Sequence, residues 1–273
     1  MEAFLSFFET MPIWMKAAWI FGCLSFFWIF EGNYSLFSFD YKRWKHAGTN
    51  MMLLAMVMII NVAVSLILAV IFVWLESSNF GLLHVLDSPI WIELLLSIFV
   101  LDFLAQYFVH YLLHKVPWMW RLHLVHHTDK TVDVTTGTRH HPIDFIIREA
   151  MAIVAVVIMG MPISFYLFYR IITILFTYFN HANLSLPRGL DKFLSYLIVS
   201  PNMHKFHHHH KMPWTDSNFG NMFSIWDRMF GTFVYEDTKD IIYGVDIADH
   251  LDDQNIRVQL GIPFNKSVQS KTK

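Results

Sequence analysis

With 273 residues the chain is long enough for one large domain or two small ones with a full core. Its side chains are 55% hydrophobic, 17% aromatic and only 15% charged, an apolar excess that requires lipid as solvent and argues against a soluble globule. A net charge of -2 with no long basic run gives no sign of a nucleic-acid partner, and a lone cysteine, Cys23, excludes an internal disulfide framework and any cysteine-ligated cluster.

In chain order, the first apolar span runs from about Pro12 to Phe30 and closes at Glu31-Gly32-Asn33. Cys23 within it reads as a small buried hydrophobe. No basic n-region or small-residue cleavage site marks a signal peptide, so membrane insertion is expected to use these helices themselves. A basic loop, Lys42 to His46, leads to a second span over roughly Met51 to Leu75. Glu76 to Pro89 is a loop with two acids and no Lys or Arg, and a third span starts near Ile90 and runs past His110. The positive-inside rule then places the Lys42–His46 loop and the segment after the third span in the cytoplasm, with the Glu76–Pro89 loop and the N-terminus outside. Ile143 to Phe179 is apolar again, cut at Met161-Pro162 into two pieces of about 16 residues, each roughly 24 Å long as a helix. A hairpin that enters the membrane and returns fits these pieces, because the histidines at both ends must share one side.

Thirteen of the sixteen histidines fall between His110 and His210. His110 and His114 are four apart, and His123, His126 and His127 follow an i, i+3, i+4 pattern that puts them on one helix face. His204, His207 and His208 repeat that pattern. Asp102, Gln106, His110 and His114 recur every four residues and form a polar stripe on an oily helix. An acid in a span needs a partner. Asp102 reads either as a snorkelling or backbone-paired group or as the partner of a histidine's second nitrogen.

Eight imidazoles in such patterns are metal ligands rather than core residues, since unliganded they would be eight partly buried polar rings. They exceed what one tetrahedral zinc takes, which argues for two metals. No Glu-x-x-His motif stands beside them, so the pair is nearly all-imidazole.

The motifs HYLLH (110–114), HLVHH (123–127) and HKFHH (204–208), separated by apolar spans, resemble those of the membrane-bound fatty acid hydroxylase / sterol desaturase superfamily. Arg139-His140-His141-Pro142 resembles its R-x-H-P element. Asn180-His181 ahead of Leu186-Pro187 resembles its lone histidine before a turn. Asp216-Ser217-Asn218-Phe219-Gly220 with Trp226-Asp227-Arg228-Met229-Phe230-Gly231-Thr232 resembles its closing signature. The likeness runs from Asp102 to Thr232; the first 90 residues match only as generic spans.

This resemblance implies a non-haem di-iron site, two irons using O2 as co-substrate to attack an unactivated C–H bond of a lipid such as a sterol or fatty acyl chain. The ligands it implies are His110, His114, His123, His126, His127, His141, His181, His204, His207 and His208. His140, Asp102, Asp216, Asn218 and Asp227 are candidates for groups that hydrogen-bond the ligands. For the last three a purely structural role stands equally: Asn218 as a helix cap, Gly231 as a stop, Trp226 and Phe230 as one packing face. His209 and His210 lie off the pattern, and His46, His84 and His250 read as ordinary surface residues. No dinucleotide fingerprint or cytochrome module is visible, so electrons are expected from a separate cytochrome- or ferredoxin-type donor protein, with Lys115, Lys130 and Lys205 available to attract it.

The fold expected is an all-α membrane protein of about three to five membrane helices, including the Pro-broken hairpin, capped by a cytosolic histidine-rich metal domain. Membrane spans fill 1–89, the di-metal domain 90–235, and a polar tail 236–273, partly disordered after Asp249. The membrane is a bacterial inner membrane or the endoplasmic reticulum. A lipid-active zinc hydrolase and a transition-metal transporter are the alternatives. A transporter places its ligands near the bilayer midplane, whereas these histidines follow the spans.

Overall fold

The computed structural model describes residues 2–86 and 88–268. Asp87, one of the two acids of the expected outer loop, and the last residues of the tail, 269–273, lie outside the described residues. Among those described every regular element is helical, with only isolated bridge pairs such as Ser35 with Leu184.

Among the described residues, four segments are long and apolar enough to cross a membrane: Ile13–Asn33, Arg43–His84, Ile90–Lys115 and Ile163–His181. A short helix α1 (Glu2–Thr10) packs on the last of these through Phe4 and Phe8 against Phe168. Helix α2 (Ile13–Asn33) is about 31 Å long, matching the hydrocarbon core. Helix α3 (Arg43–Ser78) has 36 residues, about 54 Å, far more than the bilayer needs. Its surplus is the first turns, where His46, Thr49 and Asn50 are buried among polar groups rather than facing lipid. Further along, Val62, Leu66, Val70 and Val73 stand exposed, as lipid-facing side chains do.

The third span is one rod in three parts: α4 (Ile90–Asp102), a π-helical stretch (Phe103–Phe108) and α5 (Val109–Lys115). The wider turn of the π stretch keeps residues four apart closer to one face than a regular α-helix would. Asp102 accepts from the loop at Met222 to Trp226, and His110 meets Phe219 of the same segment as well as the other histidines.

The apolar stretch after His141 is the expected hairpin, with α7 (Pro142–Met159) and α8 (Ile163–His181) joined at Gly160-Met161-Pro162. Both arms are longer than the sequence pieces. The first carries Asp144, Arg148 and Glu149 near its start, and it is absent from the four fully apolar candidates. The tip packs on the loop after α3: a Cβ on Gly160, at φ +63, would stand 2.0 Å from the Phe80 carbonyl oxygen. The main core lies between α3, α4, α7 and α8, around Leu68, Leu101, Val156 and Phe165.

Helix α6 (Pro117–His127) follows α5 after Val116, with Pro117 at its first position as helix starts favour. Three short helices complete the metal-side layer: α9 (Arg188–Leu194), α10 (Pro201–His207) and α11 (Ile225–Met229). The expectation of a partly disordered tail is corrected by α12 (Ile256–Gly261) and the turn after it. Ile262 and Val268 pack with Leu53, Trp120 and Leu124, and the Arg121 guanidinium donates to the carbonyls of Pro263, Asn265 and Val268. Buried apolar contacts and spent carbonyls tie down a segment whose polar composition alone suggested freedom.

Candidate metal centre

Pro117 reverses the chain so that α5 and α6 lie side by side, and their histidine faces meet. The end of α8 adds His181, and α10 with its C-cap adds His204, His207 and His208. Two groups result. In one, His110, His114, His123, His127 and His207 bring ligand atoms within 4.8 Å of one another; in the other, His126, His181, His204 and His208 do the same. The groups adjoin, with the rings of His127 and His208 stacked 4.9 Å apart. All nine rings are buried.

The nitrogens point at common centres. The Nε2 atoms of His110 and His123 are 2.9 Å apart, and His181 Nε2 lies 3.1 Å from those of both His126 and His204. Both ring nitrogens of His114, His127 and His208, with His204 Nδ1 and His207 Nε2, have no hydrogen-bond partner among the described residues. Leaving so many buried polar atoms unsatisfied is costly. A metal takes one lone pair from each ring and so removes part of that cost, and the donor set fits a pair of metals. Burial, reinforced by neighbouring rings, holds the pKa of His126, His127, His204, His207 and His208 well below the ordinary histidine value. Burial also takes His123 down to about 3, against the pull of Asp144. At neutral pH these rings are uncharged, the form that binds metal.

The second ring nitrogens are anchored by the chain. Nδ1 of His110 pairs with the Phe219 carbonyl at 2.8 Å, that of His207 with Ser217 at 2.7 Å, that of His181 with Thr177 at 2.7 Å and that of His126 with Arg139 at 3.2 Å. Each carbonyl accepts an Nδ1 proton, which leaves the Nε2 lone pair for the centre. His123 uses a carboxylate instead: its Nδ1 lies 2.7 Å from Asp144, which Arg148 also contacts at 2.8 Å. Asp144 was not singled out in the sequence. Its place one turn after the His-Pro pair was the available signal.

Other sequence candidates fall differently. His141 joins neither group; it caps α7, its Nδ1 accepting from the Ile143 N–H at 3.2 Å. His140 instead stacks on His126 at 4.9 Å and stands 3.7 Å from Asp144. Asp102 touches no histidine: it accepts from the Met222 and Phe223 amides and the Trp226 indole. Asp216 approaches His114 Nδ1 to 3.3 Å and pairs with Lys115. Asn218, at φ +53, caps no helix; it donates to the Met203 and Val234 carbonyls and accepts from the Val234 N–H. Asp227 receives the Phe219 and Gly220 amides and the Thr232 hydroxyl, and so fixes the carbonyl that holds His110. Trp226 and Phe230 share a packing face, both resting on Phe103.

His46 is the largest departure among the histidines. Expected at the surface, it is fully buried, with Nε2 2.9 Å from Asp129 and Nδ1 3.2 Å from Asp133. Lys205 is likewise buried, its Nζ donating to the Ala182 carbonyl, and burial lowers its pKa to about 8. It is removed from any surface that attracts a partner. His84 and His250 are exposed, and His209 and His210 are half-buried.

A cavity of about 670 Å³ runs from His110, His126 and His181 to exposed residues of α2 and α3, Ile13, Val62 and Leu66 among them. It connects the imidazoles with the face that meets lipid.

Residues 94–232, just over half the chain, match the fatty acid hydroxylase family model. The chain is 26% identical over 145 residues to ornithine lipid hydroxylase OlsE of Rhizobium tropici, covering 53% of this chain and 43% of that one. It is 32% identical over 162 residues to alkylglycerol monooxygenase of Caenorhabditis elegans, covering 58% and 30%, and 27% identical over 176 residues to the Homo sapiens protein of that name, covering 64% and 37%. The chain thus spans less than half the length of these relatives. No solved structure matches it significantly.

Proposed function

Since this chain belongs to the fatty acid hydroxylase family, we propose that it is an integral membrane oxygenase that hydroxylates an unactivated C–H bond of a lipid. The observation that carries the reading is the convergence of nine buried imidazoles, many with unsatisfied nitrogens, four of the rings lining a cavity that reaches the lipid-facing residues of α2 and α3. The names of the relatives, a lipid hydroxylase and alkylglycerol monooxygenases, support the same reaction class.

His110, His114, His123, His127 and His207 are the proposed ligands of one iron, and His126, His181, His204 and His208 those of the other. His141 is left out because its ring nitrogen caps α7. Held by these groups, a pair of irons supplies O2 activation and the oxidation of the C–H bond. The chain's own residues prepare that chemistry. Carbonyls of Thr177, Phe219, Ser217 and Arg139 fix ring tautomers, and Asp144 fixes that of His123. The cavity walls align an acyl or sterol body and keep bulk water away from the reacting carbon. Insertion of one atom of O2, with the other leaving as water, consumes two electrons and two protons from outside. A separate donor protein supplies the electrons at the metal-side face. By the positive-inside rule that face is cytoplasmic.

The test is metal analysis of the purified protein together with lipidomics of cells with and without it under aerobic conditions. Redox-active iron near two per chain and an O2-dependent oxidised lipid support the reading. Zinc alone, with a hydrolysed lipid, overturns it.

A further inference from the structure

Among the polar residues lining the cavity are Gln106 on the π stretch, and Tyr169 and Thr173 one turn apart on α8. The neighbouring wall is apolar, with Ala105, Ala152 and Ile174. Tyr169 is 1% exposed and Thr173 8%, yet neither hydroxyl has a hydrogen-bond partner among the described residues. The Gln106 and Thr173 side chains lie beside the Tyr169 hydroxyl without meeting hydrogen-bond geometry. Hydroxyls in an oily wall carry a desolvation penalty unless something entering the cavity bonds to them. On the wall that carries the hydroxyls the cations are matched: Arg170 is paired to Glu149, which also accepts from Tyr166, and Arg148 to Asp144. Lys16 lines the cavity from α2 and is in no ion pair among the described residues, so a carboxylate competitor is a required arm of the test.

We propose that Tyr169, Thr173 and Gln106 form a subsite that hydrogen-bonds an uncharged polar group of the lipid, a hydroxyl, ether or amide. The inference rests on the hydroxylase reading for what happens at the imidazoles, but the subsite itself is a matter of binding. Thr173 precedes His181 by eight residues on one helix, about 12 Å. A lipid held there presents to the metal side a carbon that far along its chain, so the subsite selects position as well as substrate class.

The experiment uses the metal-loaded full-length chain in nanodiscs and a diazirine-bearing hexadecanol as photoprobe. Hexadecanol, hexadecane and hexadecanoate are the competitors. Hexadecanol is expected to displace the probe at roughly three- to tenfold lower concentration than hexadecane or hexadecanoate, the effect of one or two hydrogen bonds. Tyr169→Phe and Thr173→Val, which keep the packing volume, each reduce that preference several-fold. Independently of any variant, probe crosslinks in the unsubstituted protein map to the cavity face of α8 around residues 169–173. Equal displacement by alcohol and alkane, tighter binding of the carboxylate, or crosslinks only outside the cavity overturns the subsite. Failure of the hydroxylase reading looks different: the alcohol preference persists while no lipid is oxidised.

Discussion

The Nδ1 of His123 and the carboxylate of Asp144 are 2.7 Å apart with both side chains fully buried, and Arg148 holds the other carboxylate oxygen from the next turn of α7. A helix of the membrane hairpin therefore orients a ring of the histidine layer.

Asp144→Asn keeps the size of that side chain and removes its charge. The His123 ring loses its anion, and Arg148 loses its counter-charge. Metal affinity is expected to fall roughly 10–100-fold, as when such outer partners are removed elsewhere. Titration of the apoprotein with Fe(II), read by metal content after desalting, checks this.

His127 and His208 stand where the two groups adjoin. Replacing either with alanine is expected to abolish lipid oxidation while the protein still inserts in the membrane at near-normal yield. Turnover by both variants at the unsubstituted rate refutes the assigned set.

Acid is expected to strip and destabilise the centre. The folded-state pKa values of these histidines are depressed by burial, to about 3 for His123. Below pH 6.5 the unfolded chain binds protons that the folded cluster refuses. Stability thus falls as pH drops, by about 1.4 kcal/mol per pH unit for each such histidine. Metal binding follows the same sign, because the ligands must be neutral. Melting curves and iron retention between pH 7.5 and 5 check it. Constant stability across that window contradicts the buried, neutral assignment.

His46→Ala removes the common partner of two buried carboxylates, Asp129 and Asp133. Breaking a buried pair in this way costs about 3–5 kcal/mol. A lowered melting temperature is expected, with little loss of iron per folded molecule, since His46 belongs to neither metal group. A neutral substitution would restore the surface assignment.

Much of this architecture was legible because helix periodicity and lipid solvent leave strong marks. The three histidine motifs needed only their i, i+3 and i+4 spacing to predict shared faces, and Met161-Pro162 marked the hairpin tip. Long-range pairing leaves no comparable mark. His46 and Asp129 are 83 residues apart, and each reads locally as an exposed polar side chain. His140 and His141 are neighbours, and only the cap geometry of α7 decides which ring turns toward His126. The tail deceived by composition: its ordering depends on the carbonyls of residues 263–268 finding Arg121.

The widened turn over Phe103–Phe108 sets the angular offset between two halves of a single rod. Each α-helical residue advances the chain by about 100°. Tightening this stretch to regular α-helix without removing a residue would swing His110 and His114 around the axis by roughly that angle, while the oily half from Ile90 stayed seated. The rod would still cross the bilayer, and the two imidazoles would be aimed elsewhere.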